Sequence, residues 1–292
     1  MTSTRRRYDT DLSEAEWALL APLLPPEQPG GRHRENDLRE VLNGIRYVLR
    51  TGAAWRHVPH EFPHWNLCYQ WFRHWREDGS WQRWQTVLRE RVRQQLGRPV
   101  QPSAAILASQ SVKTTETGGL RGYDGAKKVN GRQRHIVVDT QGFVRNAVVH
   151  AADIPDRDGA EPVLTDLLRH FPRLELVWRD QGYRGERLQQ WMAAQHLSQE
   201  IVQKPRRWVR CPSDQEPPPM PAFTVLPHRW MVERSFAWLG RWRRLSKDYE
   251  KLPSTGEAMI YAAMLGTLLR RSVRLNREQH TEELCQAYAT LS

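Results

Sequence analysis

Apolar residues recur at helical spacing in four stretches between residues 13 and 97. Ser13 and Glu16 form a capping-box pattern ahead of Trp17, Leu19, Leu20, Leu23 and Leu24, and Pro25-Pro26 stops the run. After the glycine- and arginine-rich PGGRHR, Asn36 is placed as the N-cap of a helix carrying Leu38, Val41, Leu42, Ile45, Val48 and Leu49, which Gly52 ends. Two more helices are expected over residues 66–77 and 80–96, the last closed by Gly97. Trp55, Trp65, Trp71, Trp75, Trp81 and Trp84 are available for the core of this all-α unit.

Beyond the linker-like GRPVQPS the pattern changes to alternation of strands and helices. Strands are expected at 104–113, 135–138, 143–150, 174–178 and 200–203, with helices at 157–171 and 184–196. Residues 121–134 are basic and punctuated by glycine, 205–222 are a proline-rich irregular loop, and two helices follow, one after Pro227 and one over 254–275. Three consecutive strands followed by βαβ alternation predict a mixed sheet covered by helices. The fold class read from this order is α/β. It is a ribonuclease-H-like mixed-sheet domain over 99–292, with a separate N-terminal all-α, helix-turn-helix-like domain over 1–98.

Charge narrows the partners. Lys+Arg 44 against Asp+Glu 33 leaves a net +11, a surplus that suits a polyanion such as nucleic acid. Arg5, Arg6, Arg7, Arg32, Arg34, Arg73 and Arg76 would let the N-terminal helices face a duplex, the alternative being an oligomerisation bundle. Three scattered cysteines imply no disulfide framework, no apolar run is long enough to span a bilayer, and the N-terminus lacks the apolar core of a signal peptide. A cytoplasmic protein, nucleoid-associated when bound to DNA, is the expectation. His57, His60, His64 and Cys68 have spacings that could suit zinc, but they straddle Pro59 and Pro63, and ordinary loop and surface roles are expected.

Candidate chemistry lies in two carboxylates. Asp180 ends the apolar strand of LELVWRDQGYRG, at the sheet rim where ligands of open α/β sheets bind; capping the next helix is the plainer role for it. Glu233 lies on the mostly apolar helix HRWMVERSFAWLGRWRRL, on a narrow face with Arg229, Ala237, Gly240 and Arg244, and with Arg241 close by. Carboxylates from a strand end and a later helix, ringed by arginine, suit divalent-metal phosphoryl chemistry, which calls for a third carboxylate in the first strand. Lys113, Arg121, Lys127, Lys128, Arg132, Arg134 and His135 surround the first two strands and are expected to track a DNA backbone, as is Arg234 beside the glutamate.

From residue 12 to about 273 the chain resembles the DDE transposases of bacterial insertion sequences, in the insertion-sequence-five superfamily. The resemblance rests on TGAAWRHVP, SQSVKTTETGGLRGYDGAKKVNGRQRHIVVDT, VVHAADIPDRDGA, LVWRDQGYRG and RWMVERSFAWLGRWRRLSKDYE, in that order. It implies that Asp180 and Glu233 are the second and third catalytic, metal-binding acids, served by two Mg²⁺ (or Mn²⁺) ions, and that Arg229 and Arg241 match basic positions flanking the glutamate. It also implies binding to double-stranded DNA at terminal inverted repeats and at target sites. Cleavage and strand transfer would follow, carried out by a homodimer or higher oligomer assembled on DNA. One departure stands out: Ala108 occupies the position of the first aspartate. Alanine offers no oxygen, Ser109 and Gln110 are poor neutral substitutes, and Asp124 or Asp139 could replace it only through rearranged geometry. An inactive chain that still binds DNA is therefore expected. Because the other motifs are intact, a deliberate Asp→Ala change is preferred to natural decay. The alternatives are a transposase-derived non-catalytic DNA-binding protein and, more remotely, a ribonuclease-H-like nuclease without strand transfer.

Overall fold

A computed structural model describes residues 5–26, 36–202 and 229–291. The 205–222 loop, Cys211, Arg32 and Arg34 lie outside them. Four helices open the chain: α1 (Glu14–Leu20), α2 (Leu38–Thr51), α3 (Trp65–Glu77) and α4 (Ser80–Gln95). Both halves of the Ser13–Glu16 capping box form, so two orphan N–H groups of α1 are satisfied reciprocally. The cap of α2 is Asp37 rather than Asn36: its extended backbone aims the carboxylate at the Arg39 N–H, 2.8 Å away. Gly52 closes α2 at φ 78°, a left-handed conformation that costs glycine least. His64 caps α3 through Nδ1. Cys68 is fully buried, where desolvation pushes its thiol up to about 12.

The sheet is built from β1 (Ala104–Lys113), β2 (Gly122–Asp124), β3 (Val129–Asp139), β4 (Val144–Ala151), β5 (Leu176–Arg179) and β6 (Ser198–Ile201). Its order is β2-β3-β1-β5-β6, with β4 also paired to β3. β1, β3 and β4 run antiparallel in turn, whereas β1, β5 and β6 are parallel, so the expected mixed sheet is present. α5 (Asp156–His170) and α6 (Glu186–Ala194) cover one face, where Ala105, Leu107 and Val177 meet Val163, Leu164 and Met192. α7 (Arg229–Gly240) and α8 (Pro253–Leu291) cover the other. α8 is longer than expected, and its apolar 258–269 run is buried among helices; among the described residues no helix is long and apolar enough to cross a membrane.

The N-terminal helices do not pack as a separate body. Leu42, Trp75, Trp84 and Leu88 belong to the same core as Ile106, Val144, Ile260 and Met264. The reason is that α8 is apolar on nearly every side at 258–269, so it needs cover from α1–α4 as well as from the sheet. Polar ties reinforce the seam. Gln85 and Arg89 of α4 donate to the Val144 carbonyl at 2.5 and 3.2 Å, and Arg93 pairs with Asp139 at 2.9 Å with both side chains out of water.

Asp139→Asn leaves the Arg93 guanidinium buried without a counter-charge, which should cost about 3–5 kcal/mol. Urea unfolding followed by tryptophan fluorescence, which samples both the N-terminal helices and the α/β region, and by far-UV circular dichroism should show one shared transition moving to lower denaturant. Two separated transitions would show that helices and sheet unfold independently.

Candidate active site

The parallel register pairs Leu107 of β1 with Arg179 of β5, so Ala108 and Asp180 are the next residues at the carboxyl edge of the pair. Asp180 leaves the strand half-buried and extended, and its Oδ1 accepts the Gly182 N–H at 2.9 Å. Ala108 shares a core with Trp178 and with Val232 and Leu239 of α7, so α7 packs on the face of β1 that carries Ala108. Glu233, Ala237 and Gly240 are exposed on the outer side of that helix, as the periodicity predicts. Arg229 begins α7, and its side chain lies outside the described residues.

A further carboxylate stands at this rim. A Cβ added to Gly182 would lie 2.6 Å from Asp156 Oδ2 and 3.1 Å from Asp180 Oδ1, so the two acids flank one glycine. Asp156 accepts from Ser109 Oγ at 2.6 Å and from Gln133, and Lys127 Nζ sits 3.8 Å from it, 3.6 Å from Asp124 and 3.2 Å from Ser109 Oγ. Burial alone would raise Asp124, but hydrogen bonds from Ser111 and the Lys127 N–H hold it below the ordinary carboxylate range. In the sequence Asp156 stands only within the motif VVHAADIPDRDGA, without a role of its own; its position beside Asp180 follows from the fold.

The residues present do not assemble a divalent-metal centre. Ala108 offers no oxygen beside Asp180, Lys127 already places a positive charge among Asp124, Asp156 and Ser109, and among the described residues no three His, Cys, Asp or Glu side chains gather to hold an ion.

Several residues expected on a DNA-facing surface are interior. Arg132 is fully buried and donates to Asp248 at 3.2 Å and to the carbonyls of Leu120, Glu250 and Lys251. Arg134, also buried, donates to the carbonyls of Leu245 and Lys247, and desolvation pushes its guanidinium down to about 10. The segment after α7 meets the sheet at a single bridge, Asp248 with Thr114, and the two arginine forks supply donors to its carbonyls at Leu245, Lys247, Glu250 and Lys251. Arg244 leaves the expected polar face because α7 ends at Gly240 and Trp242 turns into the core; Arg244 pairs with Glu250 at 2.8 Å instead. Gly266 leaves the space for that indole, since a Cβ there would come within 2.5 Å of it. Arg5, Arg7, Arg73 and Arg76 are engaged by Asp11, Glu14 and Glu77. Lys113, Arg121, Lys127, Lys128 and Arg241 are exposed, and Arg234 is half-buried.

His135 is buried too. Its ring stacks on His150 with centroids 4.7 Å apart, and its Nδ1 lies 2.9 Å from the hydroxyl of Tyr183, three residues beyond Asp180. Burial, with His150 adding to it, pushes His135 well below its ordinary value, and burial lowers His150 also.

Residues 12–99 match a family model described as "Putative transposase of IS4/5 family", and residues 99–268 match one described as "Transposase DDE domain". The chain is 32% identical over 108 residues to the "Insertion element IS402 uncharacterized 16.2 kDa protein" of Burkholderia cepacia, covering 35% of this chain and 72% of that protein. The two matched regions meet at residue 99, inside the linker-like segment of the sequence.

The histidine pair gives the fold a defined acid sensitivity. Below the unfolded-state value near 6.5 the unfolded chain takes up protons that the folded pair refuses, so stability is full above that value and falls as pH drops through it. Between about pH 7.5 and 5.5 the loss should be about 1–3 kcal/mol, and His135→Gln, which can still hydrogen-bond Tyr183, should roughly halve it. Urea midpoints at both pH values check this; equal pH dependence in the two proteins would remove the histidines as its cause.

Proposed function

The chain belongs to the transposases that carry a DDE domain, and from that premise we propose that it binds the terminal inverted repeats of a mobile element as a dimer or larger assembly on DNA, and that it is deficient in strand cleavage and strand transfer as it stands. The observation that carries this reading is the pair of neighbouring edge positions at β1 and β5, Ala108 beside Asp180, on a sheet face covered by the helix that bears Glu233. DDE domains generally use divalent metal ions, and Asp180 with Glu233 is one carboxylate short of the set the resemblance requires. That shortfall leaves the chain without a complete metal-binding set of its own. Its own residues would position DNA: Lys113, Arg121, Lys127, Lys128 and Arg241 are exposed cations suited to phosphates. Arg132, Arg134, His135 and Arg244 drop out of that set because the fold itself uses them.

The alanine also supports a second reading, a transposase-derived protein whose role is DNA binding alone. The two readings part on a single substitution. Ala108→Asp, assayed on labelled DNA carrying candidate element ends with Mg²⁺ or Mn²⁺, should raise cleavage by more than about 100-fold, beyond what residues supporting metal ligands typically contribute. Asp180→Asn or Glu233→Gln in that background should return it to the starting level without loss of DNA binding. A restored protein that binds footprinted ends and stays inert would leave the binding role in place of the catalytic one.

A further inference from the structure

A groove of about 340 Å³ opens between α7 and the middle of α8, with the β3–β4 turn as its floor. Arg234 and Arg241 line one wall and Arg270, Arg271 and Arg274 the other, with Trp238 between them. The turn is fixed against α7: Ser235 Oγ donates to the Gly142 carbonyl at 2.6 Å and Arg234 donates to the Gln141 carbonyl at 2.7 Å. Arg234 is further held between the rings of Trp230 and Trp238, at 4.6 and 4.8 Å. Arg50 and Arg270 flank Trp242 at 5.6 and 5.2 Å, which brings another guanidinium behind the groove, and Arg50 donates to the Arg241 carbonyl. Among the described residues, the ion pairs of the groove's arginines are confined to Arg274 with Glu278, at 3.3 Å on the surface.

Five guanidinium groups gather on α7, the residue that follows it and α8; rings or a carbonyl hold Arg234 and Arg270, and among the described residues a carboxylate pairs with Arg274 alone, so the cluster is a standing electrostatic liability in the free protein. A ligand with regularly spaced negative charge relieves it and releases its own counterions. Planar guanidinium forks match phosphate oxygens, and the groove offers Gln141 and Thr267 as its other polar side chains. We infer that this α7–α8 groove is a second DNA-contacting tract, separate from the β1–β5 edge, which grips the phosphodiester backbone of duplex DNA without reading its bases. The inference rests on the DNA-binding function proposed for the chain and adds to it three residues of α8 that no motif in the sequence marked.

Arg270, Arg271 and Arg274 lie outside the acidic edge, so replacing all three by glutamine leaves that site intact. Fluorescence anisotropy with a random-sequence duplex of about 30 base pairs, over about 50–300 mM NaCl, should show at least about tenfold weaker binding at low salt. The slope of log K against log salt should fall by about 2–3, close to one unit for each phosphate that is no longer neutralised. A control protein with Arg169, Arg173 and Arg187 replaced by glutamine removes the same charge from exposed positions elsewhere and should change affinity less than about twofold. Unchanged affinity and slope in the α8 variant, or an equal loss in the control, overturns the groove while leaving DNA binding intact. A parent protein that fails to bind duplex DNA overturns the DNA-binding reading and the groove together. Circular dichroism melts of all three proteins establish that the variants are folded.

Discussion

A single carboxylate without access to water organises this molecule. Asp139 takes the Arg93 guanidinium on one oxygen, and with the other it accepts the N–H groups of Gln141 and Phe143, closing the turn from β3 to β4. A buried charge is tolerable only when its lone pairs are filled in this way. The turn it shapes then receives α7, through Ser235 and Arg234. Asp139 thus ties three things together: the last N-terminal helix, the hairpin at the heart of the sheet, and the helix bearing Glu233. That linkage explains why the first hundred residues and the α/β region share one core even though their sequence patterns change sharply at the linker.

The same linkage fixes what the candidate site can be. β5 ends at Arg179 while β1 runs on to Lys113 against β3, so the Ala108 side chain is held within the sheet and Asp180 stands at the strand end beside it. Ala108 offers no oxygen at that position. The nearby acids do not stand in for it: Asp156 is committed to Ser109 and Gln133, Asp124 to Ser111 and backbone N–H groups, and Lys127 places positive charge among them.

Much of this was legible in the sequence. The first strand was readable at 104–113 because a continuous strand-forming run follows a linker, and the N-terminal helices were readable from their caps and glycine stops. Glu233 was placed on the outer side of its helix by periodicity alone. What failed was the reading of charge. Arg132 and Arg134 lie in a basic run that looks solvated, yet their partners are carbonyls of Leu245, Lys247, Glu250 and Lys251, over a hundred residues further on. Nothing local distinguishes an arginine that satisfies a distant, strandless backbone from one that meets a phosphate. The end of α7 at Gly240 was hidden for a related reason: the helical pattern continues past it, and only the space left by Gly266 draws Trp242 inward.

Net charge consequently has to be divided before it says anything about a partner. Part of the +11 is structural: Arg89, Arg93, Arg132, Arg134 and Arg145 are buried, and Arg145 lies 3.6 Å above the ring of Phe171, with desolvation and the neighbouring Arg89 pushing it down to about 8. Arg89, Arg93, Arg132 and Arg134 serve carbonyls and buried acids, Arg145 lies against an aromatic ring, and being buried they contribute little field outside the protein. What remains for a polyanion is drawn from the exposed set, which includes Arg121, Lys127 and Lys128 on the hairpin side of the sheet and the arginines of the α7–α8 groove. The two sets sit on different elements, so a duplex engaging both would have to run across the face that bears α7. A backbone held along that path would pass the helix that presents Glu233, and positioning would then come from phosphate contacts on either side of the acidic edge rather than from the edge itself.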